Sequence, residues 1–257
     1  ADISIAAAGI AFGELFSTFY SVRRLQKSRS DIFRPGFSFS SIRLRFRELV
    51  PLSLPLTANR VLLGLLQGIE AVSIPGCLKL YNHSTSEALS TYGVLTGMAL
   101  PCILFPSAIT NSVSIMLMPT VAELQVKDQA SGIRKLLQKV LGSCFLMGLF
   151  CCLFFLFFGQ LIGQFLFASD LAGNFIITLA WICPFLYVNG SLLSVLNGFG
   201  KTTTSFTINT VGLAIRIGSV FFAIPVFGIQ GYLWGLLISQ LAVSICCSVV
   251  LKHLISA

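Results

Sequence analysis

Charge is scarce in this 257-residue chain: Asp, Glu, Lys and Arg together make up 10% of it, against about 25% in a typical soluble domain. That scarcity excludes an ordinary water-soluble fold. Histidine is nearly absent as well, with only His83 and His253. Neither stands in catalytic spacing with a Cys, Ser or carboxylate, and the patterns GxSxG and HExxH do not occur, so hydrolase and metalloprotease chemistry have no support. Eight cysteines are present, within or at the ends of apolar runs and without zinc-type spacing. They read as small hydrophobes rather than as ligands or redox groups. The sequence opens on neither an initiator Met nor a basic leader with a short apolar core, from which we expect a fragment of a longer protein.

What the chain does have is apolar length. It is 55% hydrophobic, with a mean hydropathy of +0.89. A bilayer core about 30 Å thick needs about 20 helical residues to cross it. Seven runs satisfy this, at 3–22, 50–78, 92–120, 141–167, 174–199, 205–227 and 230–251. The expected fold is therefore an all-α integral membrane protein of about seven transmembrane helices.

A net charge of +8 would suggest nucleic acid in a soluble protein, but its placement answers a question of topology instead. Fourteen of the 17 Lys and Arg fall in the connections after the first, third and fifth runs and in the tail. The alternate connections hold only Lys79, while Arg60 and Arg216 lie inside spans. The positive-inside rule then makes the basic loops and the C-terminus cytoplasmic. Residues 23–48, with Pro35, Gly36 and several serines between basic clusters, read as a cytoplasmic linker between 1–22, one helix, and 49–257, a compact six-helix lobe. Within the linker "SIRLRFREL" alternates apolar and basic residues; strand, interfacial helix and solvated charge run are all open, and an irregular or helical element is favoured. "GIRKLLQK" reads as a basic amphipathic start to the fourth span, lying along the inner surface.

Polar residues within the spans fall on stripes. At about 100° per residue, Glu70, Gln67 and Arg60 lie about 20°, 80° and 100° from Asn59. Ser107, Thr110, Asn111 and Ser114 follow i, i+3, i+4, i+7 in the third span, and Ser205, Asn209, Gly212, Arg216 and Ser219 share a face of the sixth. Serines and threonines alone would read as interhelical hydrogen bonds. Ionised groups are different, because at mid-membrane they cost about 2.5–3.5 kcal/mol even on the lenient insertion scale. Arg60, Glu70 and Arg216 therefore imply a shared wet cavity, and Arg60 is about 15 Å along the helix from Glu70, too far to pair with it. Pro55, Pro75, Pro101, Pro106, Pro184 and Pro225 read as kinks in the cavity wall, since breaks are tolerated where freed backbone groups face protein or water.

The segment "YGVLTGMALPCILFPSAITNSVSIMLMPTVAEL" (92–124) resembles the stage V sporulation protein B family of the multidrug/oligosaccharidyl-lipid/polysaccharide (MOP) exporter superfamily. "VPLSLPLTANRVLLGLLQGIEAVSIPGCL" (50–78), "AGIAFGELFS" (8–17) and "SLLSVLNGFGKTT" (191–203) are similar to other parts of that family, in the same order. The resemblance implies a two-lobed transporter of six helices per lobe, of which this chain carries the last helix of the N-terminal lobe and the whole C-terminal lobe. It implies alternating access, residence in the bacterial cytoplasmic membrane, and lipid-linked saccharides such as peptidoglycan precursors as substrates. Arg60 and Arg216 would then contact the anionic head, Asn59, Gln67, Asn111 and Asn209 would bind sugar or peptide groups, and Glu70 would balance charge or couple transport to H+ or Na+. No further cofactor and no nucleic acid is expected; the partners are membrane lipid, the substrate and the N-terminal lobe. Some relatives form a cation site from second-lobe carboxylates, but the sixth span here has none to match. Glu14 is as readily a structural partner as a functional one. The alternatives are a drug/cation antiporter of the same superfamily, whose cargo two arginines would repel, an enzyme acting on polyprenyl phosphates, and a scaffold of cell-wall assembly.

Overall fold

The computed structural model describes residues 9, 12–24, 39–81, 84–127 and 130–256. The chain divides into two compact units, Ala1–Leu49 and Val50–Ala257. In the first, residues 12–24 form helix α1, with the Arg23 guanidinium 5.7 Å from the Phe19 ring centre. Glu14 is exposed on this helix. Most of the expected span 3–22 before residue 12, and 25–38 of the linker, lie outside the described residues.

The remaining elements are all helical: α2 (Phe39–Leu80), α3 (Thr85–Val94), α4 (Leu100–Leu104), α5 (Ser107–Val126), α6 (Ala130–Phe167), α7 (Asp170–Ala180), α8 (Cys183–Gly198), α9 (Thr202–Gly218), α10 (Ile224–Phe227) and α11 (Ile229–Ser256). The alternating segment at 41–49 is thus helical, as the opening of α2. "GIRKLLQK" forms the first turns of α6 and so opens the fourth span; at 1.5 Å per residue α6 is about 57 Å long and overruns a bilayer core. Among the described residues five helical stretches are long and apolar enough to cross a membrane: Arg60–Leu80, Thr85–Leu104, Gly132–Phe167, Thr202–Phe227 and Ile229–Leu254. A sixth is the pair α7 and α8, bent by 54°. This is a multipass all-α membrane protein.

The breaks have covalent causes. A proline cannot donate to the carbonyl four residues back, and its ring collides with it. Pro101 and Pro225 each follow a single widened turn, at Leu95–Ala99 and Ser219–Ala223, in which Leu100 N–H reaches back to Leu95 O and Ile224 N–H to Ser219 O, five residues instead of four. The carbonyl each ring would strike belongs to Gly97 or Phe221, within those π-turns. Pro106 does something sharper. Expected to kink one continuous span over 92–120, it ends a helix: α3 to α4 stop at Leu104, Phe105 and Pro106 form a turn, and α5 begins at Ser107. Pro184 sits in the first turn of α8, immediately after the Trp181–Ile182 break.

Packing places two clusters of buried side chains one beyond the other along the bundle. One includes Ile74, Leu78, Leu95, Ile103, Phe175, Leu179 and Leu233; the other includes Leu117, Val121, Leu137, Leu196, Cys247 and Leu251. Lipid supplies no hydrophobic drive for helices to associate, so close backbone contact at small residues matters more. Gly231 and Gly235 of α11 provide it against the second π-turn: a Cβ on Gly231 would stand 2.5 Å from Ala223 O, and one on Gly235 would collide with Ser219 Oγ. Large apolar side chains such as Phe165, Phe222 and Phe105 point outward. Cys77, Cys144, Cys151, Cys152, Cys183 and Cys247 are buried and all eight cysteines are free thiols.

Candidate functional site

Glu70 lies ten residues from each end of its span, Arg60–Leu80, which is about 15 Å from either edge. Arg216 lies close to the middle of Thr202–Phe227. The two side chains meet. Arg216 Nε donates to Glu70 Oε1 and Arg216 Nη2 to Glu70 Oε2, a parallel two-bond fork between a planar guanidinium and a carboxylate. Glu70 is 5% exposed. Paired in this way, two charges at mid-span can be tolerated where either alone would be costly.

The pair stands on the wall of a cavity of about 260 Å³. α2 contributes Gln67, Glu70 and Ile74; α3 and the first π-turn contribute Tyr92 and Thr96, followed by Leu100, Ile103 and Leu104 of α4. α11 adds Tyr232, Leu236 and Gln240, at i, i+4 and i+8, and Leu179, Ile182 and Leu186 close the space from the α7–α8 bend. Three interrupted helices therefore border one cavity: the first π-turn reaches it through Thr96, the second begins three residues after Arg216, and the α7–α8 break reaches it through Ile182. Widened turns of this kind concentrate at functional sites. Several of the polar groups are already engaged. Thr96 Oγ1 donates to Tyr92 O at 2.8 Å, and Asn189 Nδ2 donates to Gln240 Oε1 and O at 2.7 and 3.0 Å. Asn189 Oδ1 is buried without a partner among the described residues.

Of the residues singled out in the sequence, Glu70, Gln67 and Arg216 come together here. Arg60 does not: it is exposed and opens the apolar span rather than lying within it, a position from which a long basic side chain reaches the polar interface. Asn111 is exposed on α5, on the side facing Gly190 of α8, where an added Cβ would be 3.4 Å from its Oδ1. Asn209 is half-buried on α9 and has an interaction partner. Asn59 belongs to α2, but its side chain lies outside the described set. Ser107, Thr110 and Ser114 of α5 are buried: Ser114 Oγ lies 2.9 Å from Ser191 Oγ of α8, and Thr110 Oγ1 donates to Ser107 O at 3.0 Å. The α9 stripe faces α11, with Ser239 Oγ donating to Gly212 O at 2.7 Å, and of its members Arg216 alone lines the cavity.

Tyr92, Thr96, Tyr232 and Gln240 are the polar lining residues that the sequence pattern does not single out. Tyr232 and Gln240 stand on one face of α11, eight residues apart, and that spacing is a signal. Among the described residues no group of three His, Cys, Asp or Glu is placed to hold a metal ion.

Comparison with characterised proteins places the chain beside two relatives. It is 26% identical over 237 residues to Stage V sporulation protein B of Bacillus subtilis (strain 168), covering 89% of this chain and 46% of that protein. It is also 26% identical over 125 residues to sporulation protein YkvU of the same organism, covering 49% of this chain and 27% of that protein. The chain thus spans less than half the length of either. No family model matches it, and no solved structure matches it significantly.

Proposed function

We propose that this chain is the second lobe of a bacterial membrane transporter of the MOP superfamily, which moves a lipid-linked saccharide, such as a cell-wall precursor, across the cytoplasmic membrane by alternating access. The observation that carries the proposal is the Glu70–Arg216 fork at mid-span on the wall of a cavity that polar side chains share with leucines and isoleucines, in a chain similar over most of its length to Stage V sporulation protein B. A head group cannot cross hydrocarbon unaided, whereas its tail can stay in lipid throughout. In this reading Arg216 leaves Glu70 to donate to the pyrophosphate, and Glu70 neutralises the guanidinium when no substrate is present. Gln67, Tyr92, Tyr232 and Gln240 supply neutral hydrogen bonds along the path. Arg60, at the span edge, attracts the head electrostatically; Asn59, Asn111 and Asn209 serve sugar or peptide groups. Glu70 is also the group through which H+ or Na+ would couple. The basic loops and the C-terminus face the cytoplasm.

One observation favours the drug/cation antiporter more than the sequence does. Arg216 is neutralised by Glu70, so the cavity's charged pair sums to zero and repels a cation less than two free arginines would. Transport in vesicles by the full-length protein separates the readings. Labelled lipid-linked saccharide should cross with wild-type protein and not with Arg216→Gln, while organic cations should not cross with either. Cation transport that survives Arg216→Gln would replace the saccharide reading with the antiporter, and release of phosphate from the labelled lipid would replace it with an enzyme.

A further inference from the structure

A second cavity, of about 430 Å³, opens at the other buried cluster, where the N-terminal turns of α6 meet the C-terminal turns of α11. Arg134 and Lys252 line it over a floor of Leu137, Leu141, Leu192 and Leu251. Both cations are exposed, whereas Leu137, Leu192 and Leu251 are buried, so the apolar floor runs inward from a charged mouth.

The apolar runs place this mouth. Arg134 stands seven residues before the run 141–167 and Lys252 one residue after the run 230–251, so both are on the head-group side of the hydrocarbon, Arg134 about 10 Å beyond it along α6. Two like charges held above an apolar cleft at that depth match one kind of molecule, an amphiphile with an anionic head and an acyl tail. A guanidinium beside an ammonium suits a phosphate diester, the first as a planar two-bond donor and the second as a mobile point charge.

We propose that this cavity is a binding site for an anionic phospholipid of the surrounding membrane, with its phosphate between Arg134 and Lys252 and one acyl chain along the leucine floor. Basic pockets between spanning helices are recurrent lipid sites. The site is separate from the mid-span cavity, shares none of its lining residues, and does not depend on what the protein transports. Lys135 and Lys139 provide an internal control, being exposed on the same helical turns but absent from the lining.

The test is lipid retention by the full-length protein in native mass spectrometry, after release from nanodiscs of equal phosphatidylglycerol and phosphatidylcholine. Wild type should retain phosphatidylglycerol preferentially. Arg134→Ala with Lys252→Ala should cut that preference about 25-fold, taking about fivefold for each basic group at an anionic surface, while Lys135→Ala with Lys139→Ala leaves it unchanged. Equal losses in the two double variants would mean diffuse surface charge and overturn the proposal, as would an unchanged preference in the first. Glycerol 3-phosphate should not displace the lipid; displacement would make this a soluble phosphate-ester site and refute the lipid assignment. Arg134→Gln with Lys252→Gln keeps side-chain bulk and must reproduce the loss if the alanine pair lowers thermal stability.

Discussion

Separating Glu70 from Arg216 should cost far more than removing both charges. Arg216→Met leaves an almost fully buried carboxylate about 15 Å from either edge of its span, with no guanidinium to answer it. Breaking a buried pair from one side costs about 3–5 kcal/mol, and even the lenient insertion scale assigns about 2.5–3.5 kcal/mol to a lone mid-membrane charge. Glu70→Gln leaves the complementary orphan, softened because the amide still accepts one hydrogen bond. The double variant has neither charge and should lie within about 1–2 kcal/mol of wild type, since replacing a whole buried pair is often close to neutral. The cycle therefore predicts a coupling of about 3 kcal/mol or more, at or above the upper end of the range for contacting residues. Reversible unfolding of purified protein in mixed micelles, with all four variants at one detergent composition, measures it. Coupling below about 0.5 kcal/mol, or singles as stable as wild type, would refute the reasoning, because the charges would then be solvated separately.

Gly231→Ala places a methyl 2.5 Å from a backbone oxygen of the second π-turn and should destabilise by about 1–3 kcal/mol, the usual range for overpacking. Gly235→Ala meets mainly the Ser219 side chain, so Ser219→Gly should restore its stability and do nothing for Gly231→Ala; thermal unfolding of the four proteins checks both. A double-mutant cycle on Ser114→Ala and Ser191→Ala should give about 0.6 kcal/mol, the average for interhelical hydrogen bonds in membranes, and a value above about 2 kcal/mol would mean this pair does more than pack. Pro101→Ala and Pro225→Ala restore the missing N–H groups, so the adjacent π-turns should tighten towards regular helix, with stability unchanged or raised and vesicle transport slowed. Transport at the wild-type rate with both substitutions would remove any role for the widened turns.

Apolar run length was enough to locate the spans at 141–167, 205–227 and 230–251, because crossing hydrocarbon demands it. Run length could not locate the break at Phe105–Pro106, since residues 93–120 carry no charge on either side of it and a two-residue turn leaves the hydropathy profile flat. Helical periodicity correctly groups polar residues on faces, as with Ser107, Thr110 and Ser114, but it carries no information about which neighbour a face turns towards. That phase is fixed by tertiary packing: α5 turns its stripe into α8, while α3 and α11 bring Tyr92, Thr96, Tyr232 and Gln240 to the cavity. Arg60 illustrates the same limit along the helix axis. Its place on the arc with Glu70 follows from the 100° rotation, but its exposure at the edge of the span depends on where α2 enters the apolar layer. The partner of Glu70, 146 residues away, could be inferred to exist from the cost of a lone charge, without its identity being readable.

Water access at mid-depth tests the central claim most directly. In full-length protein with its native cysteines replaced, Thr96→Cys and Gln67→Cys should react with a membrane-impermeant cationic methanethiosulfonate reagent in sealed vesicles and be protected by lipid-linked saccharide, while Phe222→Cys on the outer surface stays unmodified. Absence of reaction at both cavity positions, from either side of the membrane, would mean dry packing around the Glu70–Arg216 pair and would contradict the account.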